Sequence, residues 1–310
     1  MATLPKTLAM TEPAVHTYYA EANVLSADLQ QPLEEDIRAK AYVKLPKDGS
    51  YQFKKADPFR FEGIISYHSG YTQVAGHPSS KSDGFTTLAT SVLEGLNVLD
   101  VVTADRVVAQ ISTVHPAYDE GQVPSVTFLG TRFENLRIGG HKIEVARNLD
   151  ILGPKPAGDK SYFEDDGVRS RITAQYNSIS TAKNLPAWAV TEYPQGRPVL
   201  NGGGVLECSV VDSVTGAPGT PFGHVIDLPH FGKIFLGELK VEREPGNVSK
   251  GILDTYKFHL TMIRLDMGCL AKGTAKIVAL DTNGSGGHGG GKTPVPPPPP
   301  PPSPLAKPGR

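Results

Sequence analysis

The feature that most limits what this chain can become is apolar–polar alternation, which recurs in short runs along most of its length. A period of two puts every second side chain on one face of an extended strand, as a half-buried sheet requires. Arg106-Val-Val-Ala-Gln-Ile-Ser-Thr-Val is rich in the β-branched residues that suit a pleated surface. Residues 126–138 alternate through Phe133, Leu136 and Ile138, and Gly139-Gly140 separates them from Lys142-Ile-Glu-Val. Two glycines between alternating runs predict a tight hairpin, because its turn needs positive φ. Residues 61–68, 169–180, 205–211, 233–242, 256–265 and 274–280 also read as strands. In the run from Tyr256, the residues Tyr256, Phe258, Leu260 and Met262 share one face.

Helical patterns are sparse. Residues 87–98 have some helical spacing, but Gly95 and the following Val98-Leu-Asp-Val-Val favour strand, turn and strand. Residues 32–41 fit a short helix or extended chain, with Pro32 placed for a first helical position and acids in the first turn. The expected fold is all-β: an antiparallel sandwich, barrel or solenoid-like domain with little helix. From Asn283 the composition changes to a Gly-rich stretch, then the run Pro296 to Pro302. Glycine gives flexibility and polyproline gives a stiff rod, and neither packs a core. The expected division is an N-terminal extension over 1–60, a main β-rich domain over 61–283 and a disordered tail over 284–310.

Charge and hydropathy exclude several classes. A net charge of −1 and a pI near 6.8 argue against a general polyanion binder, so no nucleic acid is expected. No apolar stretch approaches the ~18 residues that span a bilayer, and the N-terminus has no apolar core of the signal-peptide kind. Cys208 and Cys269 lie too far apart to form a metal motif, and both read as small buried residues.

The motifs that could carry chemistry are few. Gly286 to Thr293 matches the phosphate-binding loop pattern G-x4-G-K-[ST]. Such a loop works against the N-terminus of a following helix, whereas Pro294 and the proline run follow here, so nucleotide binding is not expected. His224, Asp227 and His230 are the best metal-ligating candidates, two imidazoles and a carboxylate at short spacing. On a strand, however, 224 and 230 would share a face that 227 does not. Glu164-Asp-Asp-Gly167 reads as a solvated turn; its oxygens could also serve a calcium ion, but without the spacing of a known calcium loop. Trp188, with Tyr176 and Tyr193 near it in sequence, could form a stacking platform for a sugar; the competing reading makes Trp188 a core plug. Asn247-Val-Ser249 fits a glycosylation sequon, and the Pro296 to Pro302 run could dock on a partner's groove or serve as a spacer.

Residues 90–109, Thr-Ser-Val-Leu-Glu-Gly-Leu-Asn-Val-Leu-Asp-Val-Val-Thr-Ala-Asp-Arg-Val-Val-Ala, resemble the recurring phrase of the bacterial choice-of-anchor P family. Phe133-Glu-Asn-Leu-Arg-Ile-Gly-Gly-His-Lys-Ile-Glu-Val and Gly232-Lys-Ile-Phe-Leu-Gly-Glu are similar to its later hairpin and strand. The likeness covers about residues 61–283 and rests on apolar steps and turns. It implies a β-rich domain of bacterial surface or extracellular proteins with no catalytic residues to carry over. The chain departs from that family's pattern in showing neither signal peptide nor C-terminal anchor; its Gly/Pro tail takes the anchor's place.

The functional expectation is a non-enzymatic structural or interaction protein, surface-displayed or self-assembling, with itself or a tail-docking protein as partner and no cofactor. A carbohydrate- or small-ligand-binding β module built on Trp188, Tyr176 and Tyr193 is the alternative. A metal-dependent hydrolase or isomerase using His224, Asp227 and His230 is the third reading.

Overall fold

The computed structural model describes residues 15–79, 84–116, 123–157, 160–196, 204–245, 254–268 and 271–287. Two antiparallel sheets pack face to face and do not close into a barrel. The first sheet runs in the order Thr220–Phe222, Val225–Leu228, Gly232–Glu244, Thr255–Met267, Lys272–Gly287, Val15–Gln31, Glu35–Lys40. Val205–Ser209 pairs along Gly232–Glu244, and Val43–Lys44 along Val15–Gln31. The second sheet is built on the hairpin Phe85–Val98 and Val102–His115, with Ser69–Pro78 and then Ser50–Ala56 beyond the first of these strands. The residues facing between the sheets form one continuous apolar core.

Residues 15–56 belong to that core, although the sequence set 1–60 apart as an extension. Val15–Gln31 is an inner strand held along Lys272–Gly287, and Ala20, Val24, Leu25 and Leu29 are buried in it. Glu35–Lys40 is a strand, not the short helix that was one reading of residues 32–41.

In the first sheet the side-chain alternation reverses at one line, in four adjacent strands together. In Thr255–Met267 the buried residues are Tyr256, Phe258, Leu260 and Met262, as the alternation predicts, and then Ile263, Leu265 and Met267. Ile277 and Val278, Val24 and Leu25, and Leu236 and Gly237 are likewise consecutive buried residues. The ladder skips Gly237, Met262, Val278 and Val24, and resumes in unchanged register on the far side. Gly237 and Val278 sit in the left-handed region, at φ 64° and 57°. For a β-branched valine that is a strained conformation. We call this line the crease. The second sheet has its own, at Gly95 opposite Asp105, where burial passes from Leu93 to Leu96. A Cβ on Gly95 would stand 2.3 Å from the imidazole of His68.

The Gly139-Gly140 hairpin forms as the sequence predicts: Ile138 pairs with His141, and both glycines have positive φ. The alternation read over 169–180 misleads, because the segment is the helix Asp166–Ser180. Its buried residues Val168, Ile172, Gln175 and Ile179 follow steps of four, three and four, the spacing of one helix face. Asp165 caps it, accepting from the Val168 amide at 2.8 Å. The acids read as a solvated turn, with a calcium loop as the alternative, thus begin a helix: Glu164 accepts from the Ser161 amide and pairs with Arg243. A second short helix, Ala187–Glu192, follows.

Gln175 fixes the long helix to the sheet. Val205–Ser209 leaves the ladder beside the crease, which frees backbone groups that need partners. The Gln175 amide donates to the Ser209 and Val211 carbonyls and to Asp212 Oδ1, and its oxygen accepts from the Ser209 amide at 2.8 Å. Gln175→Leu keeps the volume and strands these groups, so it should cost about 2–3 kcal/mol. Thermal or denaturant unfolding of the variant measures this.

At one end of the sandwich His16, Tyr18, Phe85 and His115 cluster between the sheets; His16 stacks on Phe85 at 4.2 Å and lies 5.1 Å from His115. Burial lowers His16 to about 4 and His115 to about 3, the latter also through repulsion from its neighbour. A histidine depressed in the fold binds its proton more readily when unfolded, so stability falls as pH drops below the unfolded value of about 6.5. His115 alone should cost on the order of 2 kcal/mol by pH 5. Urea midpoints measured from pH 7 to pH 5 should fall steeply, and less steeply in His115→Leu.

Candidate functional site

The crease has a consequence on the outer face of the first sheet. Where two consecutive side chains point inward, none points outward, so the surface there is floored by backbone. Thr261 and Arg264 are successive outward residues on one strand, three positions and so about 10 Å apart. Because the reversal is aligned, the gap continues across neighbouring strands as a furrow. One bank carries Glu238, Thr261, Ala279 and Asn23, which pair in register from strand to strand. The other carries Arg264, Lys276 and Ser26, also in register. The helices Asp166–Ser180 and Ala187–Glu192 wall the furrow at one end with Ile172, Tyr176, Ile179 and Tyr193, giving a cavity of about 1150 Å³.

Behind the first bank runs a row of charges directly opposite one another on six strands: Glu207, Lys240, His259, Asp281, Glu21 and Lys44. His259 is its centre. Its Nδ1 meets Asp281 Oδ1 at 2.6 Å and its Nε2 meets Glu242 Oε2 at 3.4 Å. The Asp281 hydrogen bond raises the imidazole's pKa, against the opposing effect of burial. On the second bank Arg264 holds Glu238 with two hydrogen bonds, at 2.7 and 2.9 Å, holds Asp266 with a third, and lies 3.6 Å over the Phe235 ring. These contacts hold the guanidinium well above its ordinary pKa despite burial. The furrow's charges are therefore largely neutralised by one another before any ligand arrives.

The candidates from sequence are distributed as follows. Tyr176 and Tyr193 come together, 5.9 Å between ring centroids, and both face the furrow; the Tyr176 hydroxyl donates to the Pro194 carbonyl. Trp188 does not join them as a platform. It packs in a small second core against Phe222 and Phe235, with the Lys233 ammonium 3.8 Å over its ring. His224, Asp227 and His230 are not gathered into a metal site. His224 is buried in the hairpin turn at the furrow's edge, Asp227 is half-buried on Val225–Leu228, and His230 is exposed in the next turn at φ 65°. Among the described residues no group of three His, Cys, Asp or Glu is placed to hold a metal ion. Burial lowers His224 to about 4 and pushes the Cys208 thiol, also at the furrow, up to about 12, so both are neutral at physiological pH. Cys269, the sequon at Asn247, the residues of the phosphate-loop pattern after Gly287 and the Pro296 to Pro302 tail lie outside the described residues.

Sequence reading missed Asn23, Glu238, Glu242, His259, Arg264 and Asp281. The signal for them was present as adjacent apolar pairs that interrupt alternation: Val24-Leu25, Met262-Ile263 and Ile277-Val278. Each marks a reversal, and the polar residues flanking it are the furrow's banks.

The family model described as Domain of unknown function (DUF8256) matches residues 16–242. The chain belongs to this family. No curated protein and no solved structure matches it. The DUF8256 match takes in both helices, Val205–Ser209 and most of Gly232–Glu244, and ends before the strands that carry His259 and Asp281. No described helix is long and apolar enough to cross a membrane.

The furrow's electrostatics can be tested directly. Asp281→Asn removes the largest influence that raises His259, so the imidazole's titration midpoint, followed by NMR, should move down towards that of a free histidine. The sign for stability follows. A raised histidine stabilises the fold fully below its unfolded pKa and loses that contribution as pH rises through the folded one.

Proposed function

We propose that this DUF8256 protein is a non-enzymatic interaction protein that binds a neutral, hydroxyl-rich ligand, a saccharide, in the furrow of its first sheet. The observation that carries this reading is a large open cleft in which most charged groups, Lys276 and Glu207 apart, are already paired with each other. A charged ligand would have to break those pairs. Hydroxyl groups can use the remaining lone pairs of the carboxylates and N–H groups of the guanidinium, together with Asn23, Thr261 and Ser26. The paired rings of Tyr176 and Tyr193 offer an apolar surface for the faces of a sugar ring.

The resemblance to the choice-of-anchor P family supports display outside the cell, where saccharides are abundant. A metal-dependent reaction at His224, Asp227 and His230 has no support in their placement.

Calorimetric titration of the protein with soluble glucans, xylan, mannan and chitin oligosaccharides tests the reading. At least one should bind without being cleaved. Thr261→Trp, which fills the furrow from an outward position, should weaken it by roughly tenfold, about 1.4 kcal/mol, without changing the melting temperature. Binding unaffected by Thr261→Trp, no binding in the whole panel, or steady release of shortened products would overturn it.

A further inference from the structure

The furrow differs from an enclosed pocket in crossing the sheet, and this bears on what kind of saccharide it takes. We infer that it holds an extended chain of sugar units laid across the strands, with Tyr42 as a second stacking position at the end far from the helices. This inference rests on the saccharide reading above and specifies it.

Two observations carry it. The first is length. From Gly232–Glu244 to Val15–Gln31 the furrow crosses three strand spacings, and a fourth reaches Val43–Lys44, about 19 Å in all. Its cavity, about 1150 Å³, is above the roughly 300–1,000 Å³ range of pockets for small molecules. Arg264 reaches across the floor to Glu238 on the opposite bank, so a ligand would lie over this ion pair; past it the lining continues strand by strand to Asn23 and Ser26.

The second is what stands at the far end. The sheet divides beyond Val15–Gln31, where Glu35–Lys40 stops and Val43–Lys44 begins, with Ala41 at φ 49° between them. Tyr42 lies in this gap, beside Val43, whose partner Ala22 adjoins Asn23 of the bank. Tyr42 is 40% exposed. Beside it Glu21 holds the Lys44 ammonium at 2.6 Å. Val43 is buried opposite Ala22, so Tyr42 stands on the outer face next to Asn23, where its ring is open to stack on a sugar. The path thus begins at Tyr176 and Tyr193, passes between Thr261 and Arg264, and ends at Tyr42.

A peptide is the other chain that could lie here. The furrow's floor is the interior of a sheet whose strands are already paired on both sides, so it has no free edge for a peptide backbone to join. The side-chain hydroxyls, amide and carboxylates on its banks suit a ligand that offers hydroxyls.

The test compares the dimer and the hexamer of the same cello-, xylo-, manno- or chito-oligosaccharide series by calorimetry, on the full chain and on Tyr42→Ala. The expected result is that the hexamer binds roughly tenfold tighter than the dimer. Tyr42→Ala should remove most of that advantage and leave dimer affinity unchanged. Equal affinity for dimer and hexamer, or a hexamer indifferent to Tyr42→Ala, overturns the extended path while the saccharide reading stands. Absence of binding by both lengths in every series, with binding of an extended polar peptide instead, overturns both.

Discussion

The aligned reversal of side-chain parity in the first sheet is the constraint on which the rest of this molecule depends. A single strand that turned two neighbours inward would misplace every later residue relative to its partners. Here Val24, Gly237, Met262 and Val278 reverse on one line, so each strand keeps its register with the next and all four change face together. The backbone bears the strain at Val278. The core gains a doubled apolar row: Val24 with Leu25, Met262 with Ile263, Ile277 with Val278. The outer face loses a row, and the furrow is that loss. Gly237 is required there for a second reason, since a Cβ would press on Val210 and Val211 at 2.8 and 2.9 Å. The close approach of that segment brings Ser209 and Val211 within reach of Gln175, and Gln175 sets the helix that walls the furrow. One irregularity therefore shapes the core, the cleft and the placement of the helix.

The crease is held in place by pairing between the two ends of the described chain. Val15–Gln31 and Lys272–Gly287 run together along nearly their whole lengths, with Tyr19 opposite Asn283 and Leu29 opposite Gly273. These contacts close a loop of most of the chain, the kind of non-local pairing that slows folding because its entropy is lost before its contacts form. The same pairing brings the early residues Glu21 and Asn23 beside the late residues Asp281 and Ala279. The furrow's banks are thus composite, and neither end of the chain contains the site alone.

How much of this could be read in the sequence follows from the range of each signal. Alternation is local, and it located the long strands Val102–His115, Gly232–Glu244, Thr255–Met267 and Lys272–Gly287, the shared face of Tyr256, Phe258, Leu260 and Met262, and the Gly139-Gly140 turn. It failed over 169–180, where the spacing of Val168, Ile172, Gln175 and Ile179 is helical and the capping Asp165 was read as a turn acid. The strand Val15–Gln31 was hidden because Tyr19, Glu21 and Asn23 gain meaning only from partners some 250 positions away. The site was legible in part. Tyr176 and Tyr193 do meet, yet Trp188 answers to Phe222 and Phe235, which no local pattern links to it. His259, Asp281 and Glu242 lie on three strands, and their proximity is a property of register alone.

Register also explains how the charged row is balanced within the sheet. Cross-strand neighbours of opposite sign stabilise a sheet and like neighbours destabilise it. Asp281 stands opposite Glu21, a like-charged step, and Lys240 opposite His259, a second when the imidazole is protonated. Each is relieved sideways. Lys240 turns to Glu242 on its own strand, His259 lies between Asp281 and Glu242, and Glu21 turns to Lys44. Apart from Glu207, every group of the row is committed to a neighbouring partner. A surface prepared in this way resists a free ion, because pairing with it would reopen an unfavourable cross-strand step. On the saccharide reading proposed above, a hydroxyl would donate to one paired group and accept from another without separating them.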